Sequence, residues 1–130
     1  MESTMRKAEH EKINYLEFPA KDLIATKAFF SQAFNWQFTD YSQGEDGPEY
    51  SAFSAETAGL EGGFYRADLS ASTHSGSALV VFYSETLEKT EHKVIAAGGS
   101  IVKDIFPFPG GRRFHFTDPS GNEFAVWSNT

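Results

Sequence analysis

The sequence predicts an α+β fold made of two βαβββ modules. Periodic apolar patterns occur in the order strand, helix, strand, strand, strand, and the same order then occurs a second time. The two copies fill about residues 13–67 and 77–128. The segment between them, Asp68–Gly76, is mostly small and polar, as a linker between modules should be. The second copy closes with an aromatic hairpin, Phe116–Trp127, whose turn contains the residues D-P-S-G-N.

The first module begins with a short strand and a helix whose start is marked by Asp22. This residue precedes an apolar stripe that includes Leu23, Phe30 and Phe34, so its carboxylate is placed to accept a hydrogen bond from the first helical turn. The predicted elements are a strand at Ile13–Phe18, the helix at Leu23–Phe34, a strand at Asn35–Tyr41, a turn-rich loop at Ser42–Pro48, and strands at Tyr50–Ala55 and Gly62–Ala67.

The second module repeats this order. Thr86 is placed to cap its helix, and Gly98 with Gly99 ends that helix, because glycine adopts the left-handed conformation without strain. The apolar segment Phe106–Pro109 is interpreted either as a loop that gates a ligand site or as a rigid surface loop. The other predicted elements are a strand at Ser77–Tyr83, the helix at Leu87–Ala97, a strand at Ser100–Ile105 and the closing hairpin. The predicted core of the two modules consists of Leu16, Phe18, Leu23, Phe30, Phe34, Leu87, Val94, Phe116 and Phe124.

Length and composition limit the class of protein. The chain of 130 residues is long enough for one domain with a sizeable core, which we place at residues 13–130 behind a polar tail at residues 1–12. Thirteen residues are Phe, which predicts a bulky aromatic core.

The net charge of −7 makes nucleic acid and anionic membranes poor partners. The absence of cysteine excludes disulfides and thiolate chemistry, and the polar start without an apolar run predicts a cytoplasmic protein.

Four segments, at the spacing seen here, resemble the vicinal oxygen chelate superfamily of glyoxalases, bleomycin resistance proteins and dioxygenases. They are EFPAKDL and KAFFSQAFNW around the first helix, AAGG after the second helix, and DPSGNEF in the closing hairpin. The chain is most similar to the glyoxalase-related subgroup of unassigned substrate. The resemblance implies a glyoxalase-like fold of paired half-barrels, a small-molecule ligand between the two halves, and a homodimer.

The resemblance also implies where a metal ion would be held, on the first and fourth strand of each module. Those positions are occupied here by Tyr15, by a residue in the range Gly62–Phe64, by Leu79 and by Ala125. Hydrocarbon side chains cannot coordinate, and a neutral tyrosine is a poor ligand. The four histidines, His10, His74, His92 and His115, lie elsewhere. We therefore expect no metal and no other cofactor.

Strand alternation predicts which side chains line the ligand site. Glu17 shares a face with Tyr15, and His115 lies opposite Ala125 if Phe116 pairs with Phe124. The predicted ligand-binding residues are Tyr15, Glu17, Leu79, Val81, His115, Ala125 and Trp127, with Tyr83 beside them. Glu17 and His115 are the candidate catalytic residues, with one or the other as a general base; alternatively, Glu17 binds a cationic group of the ligand. The alternative is structural: a hydrogen bond from Glu17 to backbone, Arg112 or Arg113, and an ordinary cross-strand role for His115.

Three functions fit these residues. The first is a metal-independent enzyme of lyase or isomerase type acting on a small molecule of unknown identity. The second is a protein that binds or sequesters a small molecule without chemistry, in the manner of bleomycin resistance proteins. The third is a metal enzyme with relocated ligands, which requires Glu17, Glu61, His115 or Glu123 to converge. The missing ligands favour the first two, and the sequence leaves open whether the protein is an enzyme.

Overall fold

The computed structural model describes residues 8–45 and 47–130, in which eight strands and three α-helices occur. The first seven residues of the predicted tail and Asp46 of the predicted loop lie outside the described residues. The elements are β1 (Tyr15–Ala20), α1 (Leu23–Phe34), β2 (Phe38–Gly44), β3 (Gly47–Phe53), α2 (Ala55–Ala58), β4 (Glu61–Arg66), β5 (Val80–Tyr83), α3 (Leu87–Ala96), β6 (Ser100–Phe108), β7 (Gly111–Thr117) and β8 (Glu123–Ser128). No helix within these ranges is long and apolar enough to cross a membrane.

The strands form two sheets of identical topology. The first sheet has the order β1-β4-β3-β2 and the second the order β5-β8-β7-β6. In each sheet the first strand lies parallel to the last, and the other neighbours are antiparallel. This confirms the predicted α+β fold of two βαβββ modules, joined by a segment that contains one 3₁₀ turn at Thr73–Ser75.

The loop predicted at Ser42–Pro48 is mostly strand, so that prediction was wrong in extent. β2 continues to Gly44 and β3 starts at Gly47, and these two glycines pair with each other in the ladder. Gly47 has a φ of +107°, a conformation that lets the chain reverse tightly. Residues that look like loop formers in the sequence therefore extend a hairpin.

The apolar segment predicted as a loop at Phe106–Pro109 also belongs largely to a strand. β6 runs through Phe108, with Phe106 paired to Arg113 and Pro107 to Arg112. Pro107 lacks a backbone N–H, but β6 is the edge strand of its sheet, so one side of it needs no partner. Both interpretations as a loop, gate or rigid, are corrected by this pairing.

The helix ends follow the predicted signals with one exception. Asp22 caps α1, because its Oδ1 accepts a hydrogen bond from the backbone N–H of Ala25 at 3.0 Å. Gly98, with φ +105°, ends the second long helix, and its N–H donates to the carbonyl of Ile95. Thr86 occupies the N-cap of α3, but its side chain makes no capping hydrogen bond.

A single aromatic core joins the two modules. Phe18 of β1 lies 5.1 Å from Phe124 of β8 between ring centroids, and Phe34 of α1 lies 4.4 Å from Phe82 of β5. Of the nine predicted core residues, Leu16 and Phe34 are partly buried and the other seven are buried. α1 contributes to both halves of this core, because Phe30 contacts Phe64 of the first sheet and Phe124 of the second.

The closing hairpin turn buries its three polar side chains, Asp118, Ser120 and Asn122. Asp118 accepts hydrogen bonds from the backbone N–H groups of Ser120 and Asn122, both at 2.9 Å. Burial raises the pKa of Asp118, and this effect is larger than the lowering by the hydrogen bonds, so that the pKa is about 6. The turn also docks on the first module, where the hydroxyls of Ser120 and Thr26 lie 2.7 Å apart. The D-P-S-G-N sequence thus forms a structural joint between modules as well as a reversal.

Candidate functional site

Each sheet has an outer face, which we define as the face opposite its helix. On the first sheet this face carries Tyr15 and Glu17 from β1, Tyr50 from β3 and Gly63 from β4. Their neighbours in sequence, such as Phe18 and Phe64, point into the core. The alternation expected for a strand therefore places two phenols and a carboxylate on one surface.

These three polar groups form a hydrogen-bonded relay. The hydroxyl of Tyr50 donates to Glu17 Oε2 at 2.8 Å, and the hydroxyls of Tyr15 and Tyr50 lie 2.6 Å apart. A phenol has only one proton to donate. Because Tyr50 gives its proton to Glu17, Tyr15 must donate to Tyr50. The relay therefore runs from Tyr15 through Tyr50 to Glu17, and the Tyr15 oxygen is left as an acceptor.

Tyr50 keeps its proton in this arrangement. Burial raises its pKa above the ordinary value, and the hydrogen bonds to Tyr15 and Glu17 raise it further. Gly63 makes room for its ring, because a Cβ at that position would lie 2.3 Å from the Tyr50 hydroxyl oxygen. A position in the range where the resemblance implied a metal ligand thus accommodates a tyrosine ring.

A cavity of about 500 Å³ opens beside the relay. Its lining residues with polar side chains are Tyr15, Gln37, Thr39, Tyr41, Tyr50, Ser54, Glu56 and Glu61. Glu61 is buried, and its Oε2 accepts a hydrogen bond from the N–H of Ala55 at 2.8 Å, which anchors the start of α2. A second cavity, of about 530 Å³, lies between the modules and is lined mainly by core residues, including Phe34, Trp36 and Phe82. The second cavity is also lined by Glu56, Thr57 and Tyr83, but only the first contains the two relay phenols, Tyr15 and Tyr50.

The outer face of the second sheet carries a different network. His115 Nδ1 lies 3.1 Å from Glu123 Oε2, and Arg113 Nε donates to His115 Nε2 at 3.2 Å. An arginine has no acceptor atom, so Nε2 must be the unprotonated nitrogen and Nδ1 must carry the proton. His115, only 3% exposed, is therefore a neutral imidazole with both nitrogens engaged.

Glu123 is the fixed end of this second network. Its Oε1 accepts hydrogen bonds from the N–H and the hydroxyl of Thr73, at 3.0 and 2.7 Å. Burial raises the pKa of Glu123, but the hydrogen bonds from Thr73 and His115 outweigh it, so the net pKa is below the usual value. The carboxylate is accordingly held in its charged form.

Comparison with known proteins assigns the family. Residues 12–126 match the Glyoxalase/Bleomycin resistance protein/Dioxygenase superfamily. The chain belongs to this superfamily. No curated protein matches the sequence.

Solved structures of the superfamily fold are similar over nearly the whole chain. A glyoxalase-related enzyme from Fulvimarina pelagi has a TM-score of 0.73 at 16% identity, covering 92% of this chain and 88% of that one. The fosfomycin resistance protein FosX from Listeria monocytogenes has a TM-score of 0.72 at 20% identity, covering 94% and 96%. An antibiotic binding protein from a Streptomyces species has a TM-score of 0.65 at 15% identity, covering 95% and 100%. At these identities the similarity shows the fold alone.

The residues present do not fit the metal centre that the superfamily resemblance implied. Ala125 is fully buried hydrocarbon on β8, and Leu79 precedes β5. The hydroxyl of Tyr15 is engaged with Tyr50. Within residues 8–45 and 47–130, no three His, Cys, Asp or Glu side chains come together as a metal would require. Glu17 and Glu61 lie on the first sheet, and His115 and Glu123 on the second.

The structure distributes the sequence-predicted site residues over both sheets. Tyr15 and Glu17 lie together on the first outer face. Val81, His115, Ala125 and Trp127 lie on the second sheet, with His115 paired to Ala125 in the predicted register. The two sets lie on different sheets and belong to separate hydrogen-bonded networks. Their grouping in one ligand site stays a prediction.

Tyr50 is the main residue of the relay that the sequence analysis missed. A signal for it existed: Phe53 is an apolar core position, so Tyr50, three residues earlier in the same strand, must point to the opposite face. Thr73 was also missed, because it reaches Glu123 from the linker rather than from a patterned strand.

Proposed function

We propose that the chain is a metal-independent enzyme of lyase or isomerase type that moves a proton on a small molecule. The observation that supports this most directly is the oriented relay from Tyr15 through Tyr50 to Glu17. When the Tyr15 oxygen takes up a proton from the substrate, the Tyr15 hydroxyl can pass its own proton to Tyr50. Tyr50 can in turn pass its proton to Glu17. Glu17 is then the terminal base, and no metal ion is needed for the transfer.

The cavity beside the relay supplies the other requirements of this chemistry. Removal of a proton from carbon next to a carbonyl leaves the electron pair on the substrate as an enolate, whose oxygen needs hydrogen-bond donors. Gln37 and Thr39 line the same cavity and carry such donors. Return of the proton to a neighbouring carbon completes an isomerisation, and loss of a leaving group completes an elimination. Of the two candidate bases, Glu17 therefore has the catalytic role, and His115, with both nitrogens engaged, orients Arg113.

The test is deuterium exchange in a panel of small carbonyl compounds. Wild-type protein in D₂O with EDTA is expected to accelerate loss of the proton signal next to the carbonyl for at least one member, followed by NMR. Glu17→Gln should slow this exchange by roughly 100-fold or more, since general base catalysis contributes on that scale. Tyr50→Phe should slow it similarly because it interrupts the relay. Tyr65→Phe is the matched control, since Tyr65 pairs with Tyr50 on the same face and should be neutral.

Several outcomes would contradict the proposed metal-independent enzyme. Exchange that disappears when EDTA is added would indicate metal catalysis. Equal exchange rates for Glu17→Gln and wild type would show that the relay takes no part in the reaction. Saturable binding without any exchange would favour the second candidate function, a protein that binds a small molecule without chemistry. That candidate is supported by exposed rings on the outer faces, Tyr15 at 40% and Tyr83 at 49%, and by the shared fold of an antibiotic binding protein.

The proposal includes a homodimer located in the cytoplasm, without nucleic acid or membrane partners. The second sheet carries Val81, Ala125 and Trp127 of the predicted ligand walls, and Leu79 directly precedes it, whereas Glu17 belongs to the first sheet. In the proposed arrangement, the outer face of the first sheet of one chain meets the outer face of the second sheet of its partner, so that two chains form the ligand site. In addition, β1 and β5 are edge strands whose outer sides are open to a partner within the described part of the chain. Light scattering should give the mass of a dimer at micromolar concentration; a monomer mass would contradict this arrangement.

A further inference from the structure

Arg113 is held in place without a carboxylate partner. The neighbouring Arg112 points to the other face of β7 and binds Glu88, with Nη1 2.5 Å from Oε2. Arg113 instead donates through Nε to His115, and within the described part of the chain its two Nη groups have no hydrogen-bond partner. The other two arginines of the described residues, Arg66 and Arg112, each lie within 4.0 Å of a glutamate carboxylate.

Buried neighbouring residues fix the orientation of Arg113. His115 is buried and presents Nε2 to the guanidinium, while its Nδ1–H is held by Glu123. Glu123 is in turn fixed by Thr73. In this network every hydrogen bond is donated in the direction of Glu123. The carboxylate of Glu123 therefore interacts with His115 and Thr73, on the side of the imidazole that faces away from Arg113. The Nη1 and Nη2 groups of Arg113 keep their charge for an external anion.

Aromatic rings surround the guanidinium on the same face. Its central carbon lies 5.6 Å from the ring centroid of Phe106 and 5.8 Å from that of Phe108, distances at which cation–π attraction operates. Trp127 is the cross-strand partner of Arg113, and its ring lies 6.1 Å from that of Phe108. Lys103 is the cross-strand partner of His115 and adds a second positive charge.

The geometry points to a binding site for small aromatic carboxylates on the outer face of the second sheet. The two Nη groups of Arg113 would receive the planar carboxylate as a fork, and Trp127 with Phe108 would contact the ring. The anchoring groups of this site include none of the relay residues; in the proposed homodimer, the relay of the partner would face it across the ligand site. The proposed ligand is anionic, although the net charge of the chain is −7.

Phenylacetate is the probe that tests this site. Titration of phenylacetate into the 130-residue chain, followed by backbone amide chemical shifts, should show saturable binding with a dissociation constant in the millimolar range or tighter. Arg113→Gln should weaken binding by about tenfold or more, because charge-assisted hydrogen bonds are lost. Arg113→Lys should lie between the two, since it keeps the charge but not the fork. Arg112→Gln is the matched control and should leave the affinity within about twofold of wild type, as expected of an exposed ion pair on the opposite face.

Two further comparisons test the site, one with an uncharged ligand and one with a variant of the first sheet. Phenylacetamide has the same ring without the charge and should bind wild type at least about tenfold more weakly. Glu17→Gln should bind phenylacetate at least as tightly as wild type, because it removes a negative charge and none of the anchoring groups, so failure of the relay and failure of this site are distinguishable. The inference is overturned if wild type shows no saturable binding at millimolar phenylacetate. It is also overturned if Arg113→Gln binds as wild type, or if Arg112→Gln loses as much affinity as Arg113→Gln.

Discussion

Replacement of Phe30 by alanine is expected to lower the free energy of unfolding by about 3–5 kcal/mol, the usual range for a large buried ring. Phe30 lies on α1 and is fully buried. Its ring stacks on Trp36 at 4.5 Å and contacts Phe64 of the first sheet at 5.4 Å and Phe124 of the second at 5.3 Å. The cavity left by its removal would open at the point where both modules meet, so neither sheet alone can collapse into it.

Urea denaturation followed by circular dichroism measures this effect. Ile24→Ala is the matched control, because Ile24 is on the same helix and is 60% exposed. It should change the free energy of unfolding by about 0.5 kcal/mol or less, as surface substitutions usually do. A loss below about 1 kcal/mol for Phe30→Ala would contradict a shared core, since a ring at the junction of two modules cannot be that dispensable. Two separate unfolding transitions in wild type would contradict it as well.

The fold was predictable where local signals agree with the tertiary structure. The bounds of α1, Leu23–Phe34, were predicted correctly because Asp22 supplies a cap and the apolar stripe ends at Phe34. The strand at Phe106–Phe108 was missed because proline and glycine nearby are typical of loops. Whether such a segment pairs depends on its place at the sheet edge, which the sequence pattern does not contain.

The candidate site was only partly predictable for a similar reason. Alternation within one strand placed Glu17 beside Tyr15, and alternation across the last hairpin placed His115 opposite Ala125. Alternation says nothing about which way one sheet faces relative to another. The sequence analysis placed Glu17 and His115 in one ligand site, and the structure shows them on different sheets with different hydrogen-bond partners, so the shared site stays a prediction.

Replacement of Asn122 in the closing turn by aspartate is expected to make the free energy of unfolding strongly dependent on pH. In the wild type, Asn122 is fully buried and joins three segments. Its Nδ2 group donates to the carbonyl of Pro19 at 2.7 Å and to Asp118 Oδ2 at 3.0 Å, and its Oδ1 accepts from the N–H of Ala71 at 2.8 Å. Aspartate has nearly the same shape, but its carboxylate would face the Pro19 carbonyl and the Asp118 carboxylate.

At about pH 7, Asn122→Asp should therefore lower the free energy of unfolding by about 4 kcal/mol or more, because a buried charge is left facing acceptors. The deficit should shrink as the pH falls. Burial already raises the pKa of Asp118 to about 6, and a second carboxyl beside it raises the folded-state pKa of the pair further. A carboxyl whose folded pKa lies above its unfolded pKa contributes stability at low pH, and that stability is lost as the pH rises through the folded value.

Urea midpoints measured between about pH 5 and pH 8 test the sign of this effect. Asn122→Asp should recover roughly 2 kcal/mol towards about pH 5, since a change of one pKa unit corresponds to about 1.4 kcal/mol. Asn122→Ala loses the same hydrogen bonds without adding a charge. The loss of the Asn122 hydrogen bond also raises the pKa of Asp118, so the deficit of Asn122→Ala should shrink in the same direction but by clearly less than that of Asn122→Asp. If the Asn122→Asp deficit were equal at both ends, or larger at about pH 5, the two carboxyls would not be sharing a buried site. In that case the turn would have to open in the variant, releasing its contacts with Pro19 and Ala71.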